Sequence, residues 1–290
     1  MVKRVQDVTS CRRFPQRSTT LNRRDLLRVG GAIVLSYMIP NVGKADTKPV
    51  PAIASRIVPL CVMHTPSTHR KITEEALNGI VAPFVLGKIV EANLGQDTDE
   101  AMKDPLNHGD NDEIEATISR INDWIKSAQD IMNSEQSEQE IDEALTSLGK
   151  SFHAIQDLVS HSDYVEKMTA DGEYESPAEV PIPNFFKNGR PKGIITGTYD
   201  PKNPYAAGTP EKPTHWDINK DLAPHRDNPS RLWSPRSRVL VPGMDGKNMY
   251  DVARDIAVRE TQELYGEFLK GITNEEGKNR WNTIAALTDM

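Results

Sequence analysis

The 290-residue chain predicts a mostly α-helical fold, a single helical domain carrying one long Pro/Gly-rich loop insertion. Three observations support this expectation. Apolar residues recur at three- and four-residue spacing over several long segments, which is the period of one helix face. No strand–helix alternation and no internal repeat appears, which disfavours a parallel α/β sheet. The composition, 37% hydrophobic and 27% charged, is that of a globular chain long enough to bury a sizeable core.

Residues 1–54 stand apart as a signal segment and short linker. Arg23-Arg24, followed by Asp25, Leu26, Leu27 and Arg28 and then the apolar run from Val29 to Ile39, resembles a twin-arginine export signal. That run is too short to span a bilayer, and no run elsewhere reaches the roughly 18 apolar residues of a membrane helix. Cleavage after Ala45 or Ala54 fits the small-residue pattern. The expected location is the periplasm or the exterior, reached by the twin-arginine route. Residues 1–54 hold ten Lys/Arg and three Asp/Glu, so the remaining chain has 25 basic and 39 acidic residues, a net charge of −14. Such a surface repels polyanions, which argues against broad nucleic-acid binding. The two cysteines are Cys11 and Cys61. Loss of the first leaves no internal disulfide, so an exported chain needs another staple, and metal ions would supply one.

Residues 55–290 read as the helical domain. "THRKITEEALNGI" follows a cap candidate at Ser67/Thr68 and spaces Ile72, Ala76 and Ile80 by four. Pro83 ends or kinks that helix, and "FVLGKIVEANL" resumes as a second. Ile114, Ile118, Ile121 and Ile125 make a helical stripe in the third. Ser137 and Glu140 have capping-box spacing ahead of the fourth, whose stripe is Ile141, Leu145, Leu148, Phe152, Ile155 and Val159. Val252, Ile256, Leu264 and Phe268 are in helical phase near the C-terminus. Residues 171–213 break the pattern with eight Pro and five Gly. A loop of that length inside a domain is functional or disordered, and this one is expected to act as a lid or specificity insert.

The chemistry is concentrated in "SFHAIQDLVSHSDYVE". Four residues advance a helix by about 400°, so His153, Asp157 and His161 share one face, each about 40° round from the last. Two imidazoles and a carboxylate aimed into one small volume suit a metal ion and do not suit an apolar core. Further donors lie at His69 in "STHRKITEEAL", at His108 and Asp110 in "LNHGDNDEIE", and at His215 in "THWDINKDLAPH".

The segment "LGKSFHAIQDLVSHSDYVE" resembles the signature helix of Het-C-like proteins. "THRKITEEAL", "NHGDNDE" and "HWDINKD", in that order, resemble three further segments of the same family. The resemblance covers most of residues 67–270 apart from the loop. That family in turn resembles zinc-dependent phospholipases C and P1-type nucleases, helical enzymes that hold three zinc ions in a cleft. The resemblance therefore implies a fold of the zinc phospholipase C / P1 nuclease type with up to three Zn²⁺. Carried over, His153 and Asp157 sit on one ion with Asp110 and His108. Asp157 bridges to a second ion held with His69, and His161 and His215 hold the third. The phospholipases add a His and a Glu one turn apart after the motif helix. Here no His lies between 226 and 290, so Asp251 or Asp255 is the candidate.

The activity implied is zinc-dependent phosphodiester hydrolysis of the phospholipase C type. Asp157 and Asp110 would orient metal-activated water, Lys220 would pair with substrate phosphate, and the substrate would be a phosphoester, a phospholipid head group above all. A P1-like nuclease is the alternative within enzymes. A non-catalytic Het-C-like interaction or toxicity protein with structural metals is the alternative outside them, although structural zinc more often uses Cys.

Overall fold

Residue by residue, the computed structural model describes 66–98, 100–134, 137–203, 206–221 and 235–285. The export-signal reading, Cys61, His64 and His225 fall outside the described residues.

Nine α-helices and no sheet occur among the described residues: α1 (Pro66–Leu77), α2 (Pro83–Leu94), α3 (Ile114–Asn133), α4 (Glu138–Ser160), α5 (Tyr164–Thr169), α6 (Phe185–Asn188), α7 (His215–Ile218), α8 (Met249–Gly271) and α9 (Glu275–Ala285). The described residues fall within one compact unit. Local chemistry sets the boundaries. Pro83 occupies the first turn of α2, where its missing N–H costs nothing. Ser137 and Glu140 close the expected capping box on α4, and Asn248 and Asp251 close another on α8. One cap differs from expectation: α1 begins at Pro66, so Thr68 sits inside its first turn, not ahead of it. Ile80 also leaves the expected stripe. It follows the end of α1 and is half-exposed.

The central element is α4, which packs against α3, α2 and α8. Its stripe of Leu145, Leu148, Phe152, Ile155 and Val159 is buried together with the Ile114–Ile125 stripe of α3 and with Val252, Ile256, Leu264 and Phe268 of α8. Each such side chain contributes roughly 1.5–3 kcal/mol by leaving water. From Ser151 to Ser162 every residue is buried, so this part of α4 has no solvent face. Its polar side chains are enclosed on all sides and need partners inside the protein.

Two glycines set the approaches to that helix. A Cβ on Gly149 would lie 2.4 Å from the Ile89 carbonyl oxygen and 2.9 Å from the Asn93 nitrogen. The missing side chain lets α2 lie against α4, and Asn93 thereby reaches His153 one turn further along. Gly109 has φ +66°, and a Cβ there would meet Leu158 at 2.5 Å. Asn111 and Asp112 also take left-handed φ values of 60° and 61°, a conformation that Asn and Asp tolerate. This tight turn lays His108 and Asp110 onto consecutive turns of α4.

The 171–213 insert is stitched to the same region. Asn111 N donates to Gly197 O at 2.8 Å, Gly197 N to His161 O at 3.2 Å, and His215 N to Thr198 O at 2.9 Å. Asp112 accepts from Arg190 at 2.7 Å. Elsewhere in the insert, Phe185 is fully buried, and the backbone N–H of Asn184 donates to the buried carboxyl of Glu260 on α8. The expected lid is therefore packed against the polypeptide that carries the candidate ligands.

Gly149→Ala should weaken the α2–α4 contact by about 1–3 kcal/mol, the usual cost of overpacking. The melting temperature should fall by several degrees, and zinc affinity should fall with it because Asn93 is displaced. Parallel melts and zinc titrations of the two proteins check both effects.

Candidate metal centre

The seven residues picked out by sequence, His69, His108, Asp110, His153, Asp157, His161 and His215, come together, and every one is at least 97% buried. His69 comes from α1, His108 and Asp110 from the tight turn before α3, and His153 and Asp157 from the middle of α4. His161 caps the C-terminus of α4, and His215 opens α7.

Asp157 lies at the middle of the cluster, and its two oxygens face different imidazoles. Oδ2 is 2.8 Å from His108 Nδ1 and 2.9 Å from His153 Nε2, and those two nitrogens are 3.2 Å apart. Oδ1 is 3.3 Å from His69 Nε2 and 3.5 Å from His161 Nε2. Asp110 lies 2.9 Å from His215 Nδ1 and 3.4 Å from His161 Nδ1.

Two carboxylates that the motif reading missed also belong here. Asp221 Oδ2 is 3.4 Å from His161 Nε2 and 3.9 Å from His69 Nε2. Asp97 Oδ1 is 3.6 Å from His153 Nε2. Asp221 ends the quoted "HWDINKD", so its proximity to His215 in sequence was the available signal. Asp97 closes the short 3₁₀ turn after α2, Gly95–Asp97, and no motif marks it.

The residues expected to complete the third site do not lie in it. Asp251 is spent on the α8 cap, where it accepts from Asn248 N at 3.0 Å. Asp255 pairs with Arg259 at 2.7 Å. Nor does Lys220 face a phosphate. Its ammonium is fully buried and donates to Ser162 O at 2.6 Å, Ile218 O at 2.8 Å and Glu166 at 3.1 Å. Two carbonyls and a carboxylate consume its three protons, and the bonds pin the chain before Asp221 to the end of α4. Burial lowers its pKa against the pull of Glu166.

Charge is perturbed at Asp157, Asp110, His69, His161 and His153. Burial opposes ionisation of Asp157, but the facing imidazoles of His161, His153 and His69 outweigh it and hold the carboxyl well below its ordinary range. Burial likewise opposes ionisation of Asp110, and His215 and His161 hold it low. Burial disfavours a charged His69, yet Asp157, with Asp97 and Asp221, carries it up to about 9. His161 is raised in the same way, against burial, by Asp157 and Asp110. His153 moves down, because burial and the neighbouring His69 outweigh Asp157. Without metal, protons on His69 and His161 balance the central carboxylate.

The donor set fits divalent cations. Imidazole nitrogen and carboxylate oxygen are the ligands of zinc and of other first-row metals. Asp157 Oδ1 is completely buried and lies 3.3 and 3.5 Å from His69 and His161 Nε2, longer than a good hydrogen bond, an arrangement that a cation would compensate. The 2.8, 2.9 and 3.2 Å separations around Oδ2 approach the roughly 3.3 Å edge of a tetrahedron with zinc–ligand distances of about 2.0–2.1 Å. Among the described residues, four groups of donors lie close enough to hold an ion: His69/Asp97/His153, His108/His153/Asp157, Asp110/His161/His215 and His69/Asp157/Asp221.

Fold and site together define an all-helical protein, among the described residues, built round buried His/Asp groups suited to several metal ions. A family model described as the VWA7 N-terminal domain matches residues 74–176. That stretch takes in Asp97, His108, Asp110, His153, Asp157 and His161, whereas His69, His215 and Asp221 lie outside it. No curated protein and no solved structure matches the chain.

The raised His69 makes the metal-free fold pH-sensitive. Its folded pKa of about 9 lies above the ordinary 6.5, so its stabilising proton is fully present below pH 6.5 and is lost as pH rises through 9. In chelator, the melting temperature should decline across pH 6.5–9. Saturating zinc should shrink the decline, because the ion takes the proton's place. Melts with and without chelator over that window check this, and a flat chelator curve contradicts it.

Proposed function

We propose that the protein is a zinc-dependent phosphodiester hydrolase of the phospholipase C type, acting on a phosphoester such as a phospholipid head group. The observation that supports the reading best is the central carboxylate of Asp157, fully buried, with each oxygen turned to a different pair of imidazole nitrogens. A carboxylate with imidazoles on both sides is the arrangement that holds two like-charged ions close together, because its own charge offsets their repulsion. The similarity of the "SFHAIQDLVSHSDYVE" helix to Het-C-like proteins, and through them to zinc phospholipases, supplies the substrate class.

When bound, closely spaced divalent ions neutralise the charge of a phosphodiester and bring the pKa of water towards about 7. The chain's own residues prepare for that chemistry. His108, His153, His69, His161 and the carboxylates of Asp157, Asp97 and Asp221 are the donors. Asp157 stays ionised at neutral pH because its imidazole neighbours hold its pKa low. Asp110 accepts from His215 and fixes the ring that stacks edge-on to His161, with centroids 4.1 Å apart. Lys220 works at a distance by pinning the chain that carries Asp221.

Asp157→Asn keeps the volume of the side chain and removes its charge. Retained zinc should fall by roughly half or more, and hydrolysis of nitrophenyl phosphocholine by at least about 100-fold, beyond the 10–100-fold typical of groups outside the coordination sphere. Far-UV circular dichroism should remain helical, because the packing stripe of α4 is untouched. Elemental analysis and a chromogenic assay on both proteins check this. Zinc at full content in the unmutated protein with no hydrolysis of phosphocholine, simple diester or single-stranded DNA substrates would point instead to structural metals.

A further inference from the structure

The four donor groups overlap, and the direction of the hydrogen bonds around them determines how many can be filled together. The direction is fixed by groups that can act in only one way. Thr261 Oγ1 donates to the Ala257 carbonyl at 2.7 Å, so towards Gln156 it can only accept. Gln156 must therefore present Nε2 to Thr261, at 3.2 Å, and its carbonyl Oε1 to His69 Nδ1, at 2.9 Å. The same Oε1 accepts from Asn93 Nδ2 at 3.3 Å, so Asn93 turns its Oδ1 to His153 Nδ1, at 3.2 Å. Both histidines thereby keep hydrogen on Nδ1, so that when an ion displaces the proton from the other nitrogen it is the Nε2 lone pair, directed at Asp157, that is available to it. His161 is held in the same form, because its Nδ1 faces the His108 backbone carbonyl at 3.1 Å, and a carbonyl only accepts.

His215 is set the opposite way. The backbone N–H of Asp221 donates to Asn219 Oδ1 at 2.8 Å, so Asn219 offers Nδ2 to His215 Nε2, also at 2.8 Å. His215 Nε2 is an acceptor, and its proton is on Nδ1, directed at Asp110. In the Asp110/His161/His215 group, both ring nitrogens that face Asp110 therefore carry hydrogen and have no lone pair for an ion. The His69/Asp97/His153 group needs the same Nε2 lone pairs that the two Asp157 groups use, and each lone pair serves one ion.

We propose that the centre is dinuclear, with Asp157 bridging one ion on His108 and His153 and another on His69, His161 and Asp221, while Asp110 and His215 hold no ion and orient the ligands. This rests on the metal reading given above and narrows it from three ions to two. Asn93 and Gln156 are positioning residues. They select the tautomers of His153 and His69, and Thr73 completes the relay by accepting from both amides at 3.1 Å. Asp97, beside His153, adds a carboxylate on the first side.

The test uses the full chain with Zn²⁺ alone. In long-range ¹H–¹⁵N spectra of the zinc-saturated protein, zinc-shifted nitrogens should appear at Nε2 of His69, His153 and His161 and at Nδ1 of His108. His215 should keep an unshifted Nε2, and elemental analysis should give two ions per chain. His215→Gln should retain both ions with affinity lowered about 10–100-fold, whereas Asp221→Asn should lose one. A third ion, a zinc-shifted nitrogen on His215, or the outright loss of an ion in His215→Gln overturns the dinuclear assignment and leaves the metal reading standing. No bound zinc at all overturns both. The spectra of the unmutated protein decide the matter even if a variant fails to fold.

Discussion

A carboxylate cannot stay ionised inside a protein without compensation, and Asp157 is buried at the middle of the longest enclosed stretch of α4. Much of the architecture supplies that compensation. Four imidazoles from α1, the turn before α3, and two turns of α4 converge on its oxygens. The apolar stripe of α4 holds the helix in place, and the enclosed polar residues on its other faces are matched by polar groups from α1, α2 and α8. Packing and chemistry are thus two faces of the same helix.

The supports show how a helical fold can present a polar centre without a sheet or a disulfide in the described residues. Backbone glycine at 149 brings α2 close enough for an amide to reach His153, and a left-handed turn at Gly109 brings two donors onto adjacent turns of α4. Lys220, which has the look of a phosphate-binding group in sequence, is instead a buried tie rod. The insert adds backbone bonds to the Asn111 turn and to His215. Its role in this structure is to brace the donors from outside.

Much of this was legible in the sequence, for identifiable reasons. The helices announced themselves through Ile114–Ile125 and the α4 stripe, because a 3.6-residue period leaves its mark in the order of apolar residues. His153, Asp157 and His161 were legible because helix geometry converts sequence spacing into spatial proximity. Asp97 was not, because it ends a single 3₁₀ turn that no motif marks, and Asp221 was signalled only by its closeness in sequence to His215. Asp251 and Asp255 looked suitable by type, but a capping box and an i,i+4 pair with Arg259 had already claimed them. Asn93 and Gln156 were invisible for a further reason. Their importance lies in which end of an amide points where, and that depends on a hydroxyl of α8 more than a hundred positions away.

The proposed function turns on whether Asp157 holds cations on both of its oxygens. Diffraction from a zinc-loaded crystal at energies spanning the zinc absorption edge tests it most directly. An anomalous peak is expected within coordination distance, about 2.0–2.2 Å, of each Asp157 oxygen, with His108 and His153 on one and His69 and His161 on the other. Density from saturating zinc that leaves the Asp157 carboxylate without a peak, its oxygens bonded only to protonated imidazoles, would contradict it.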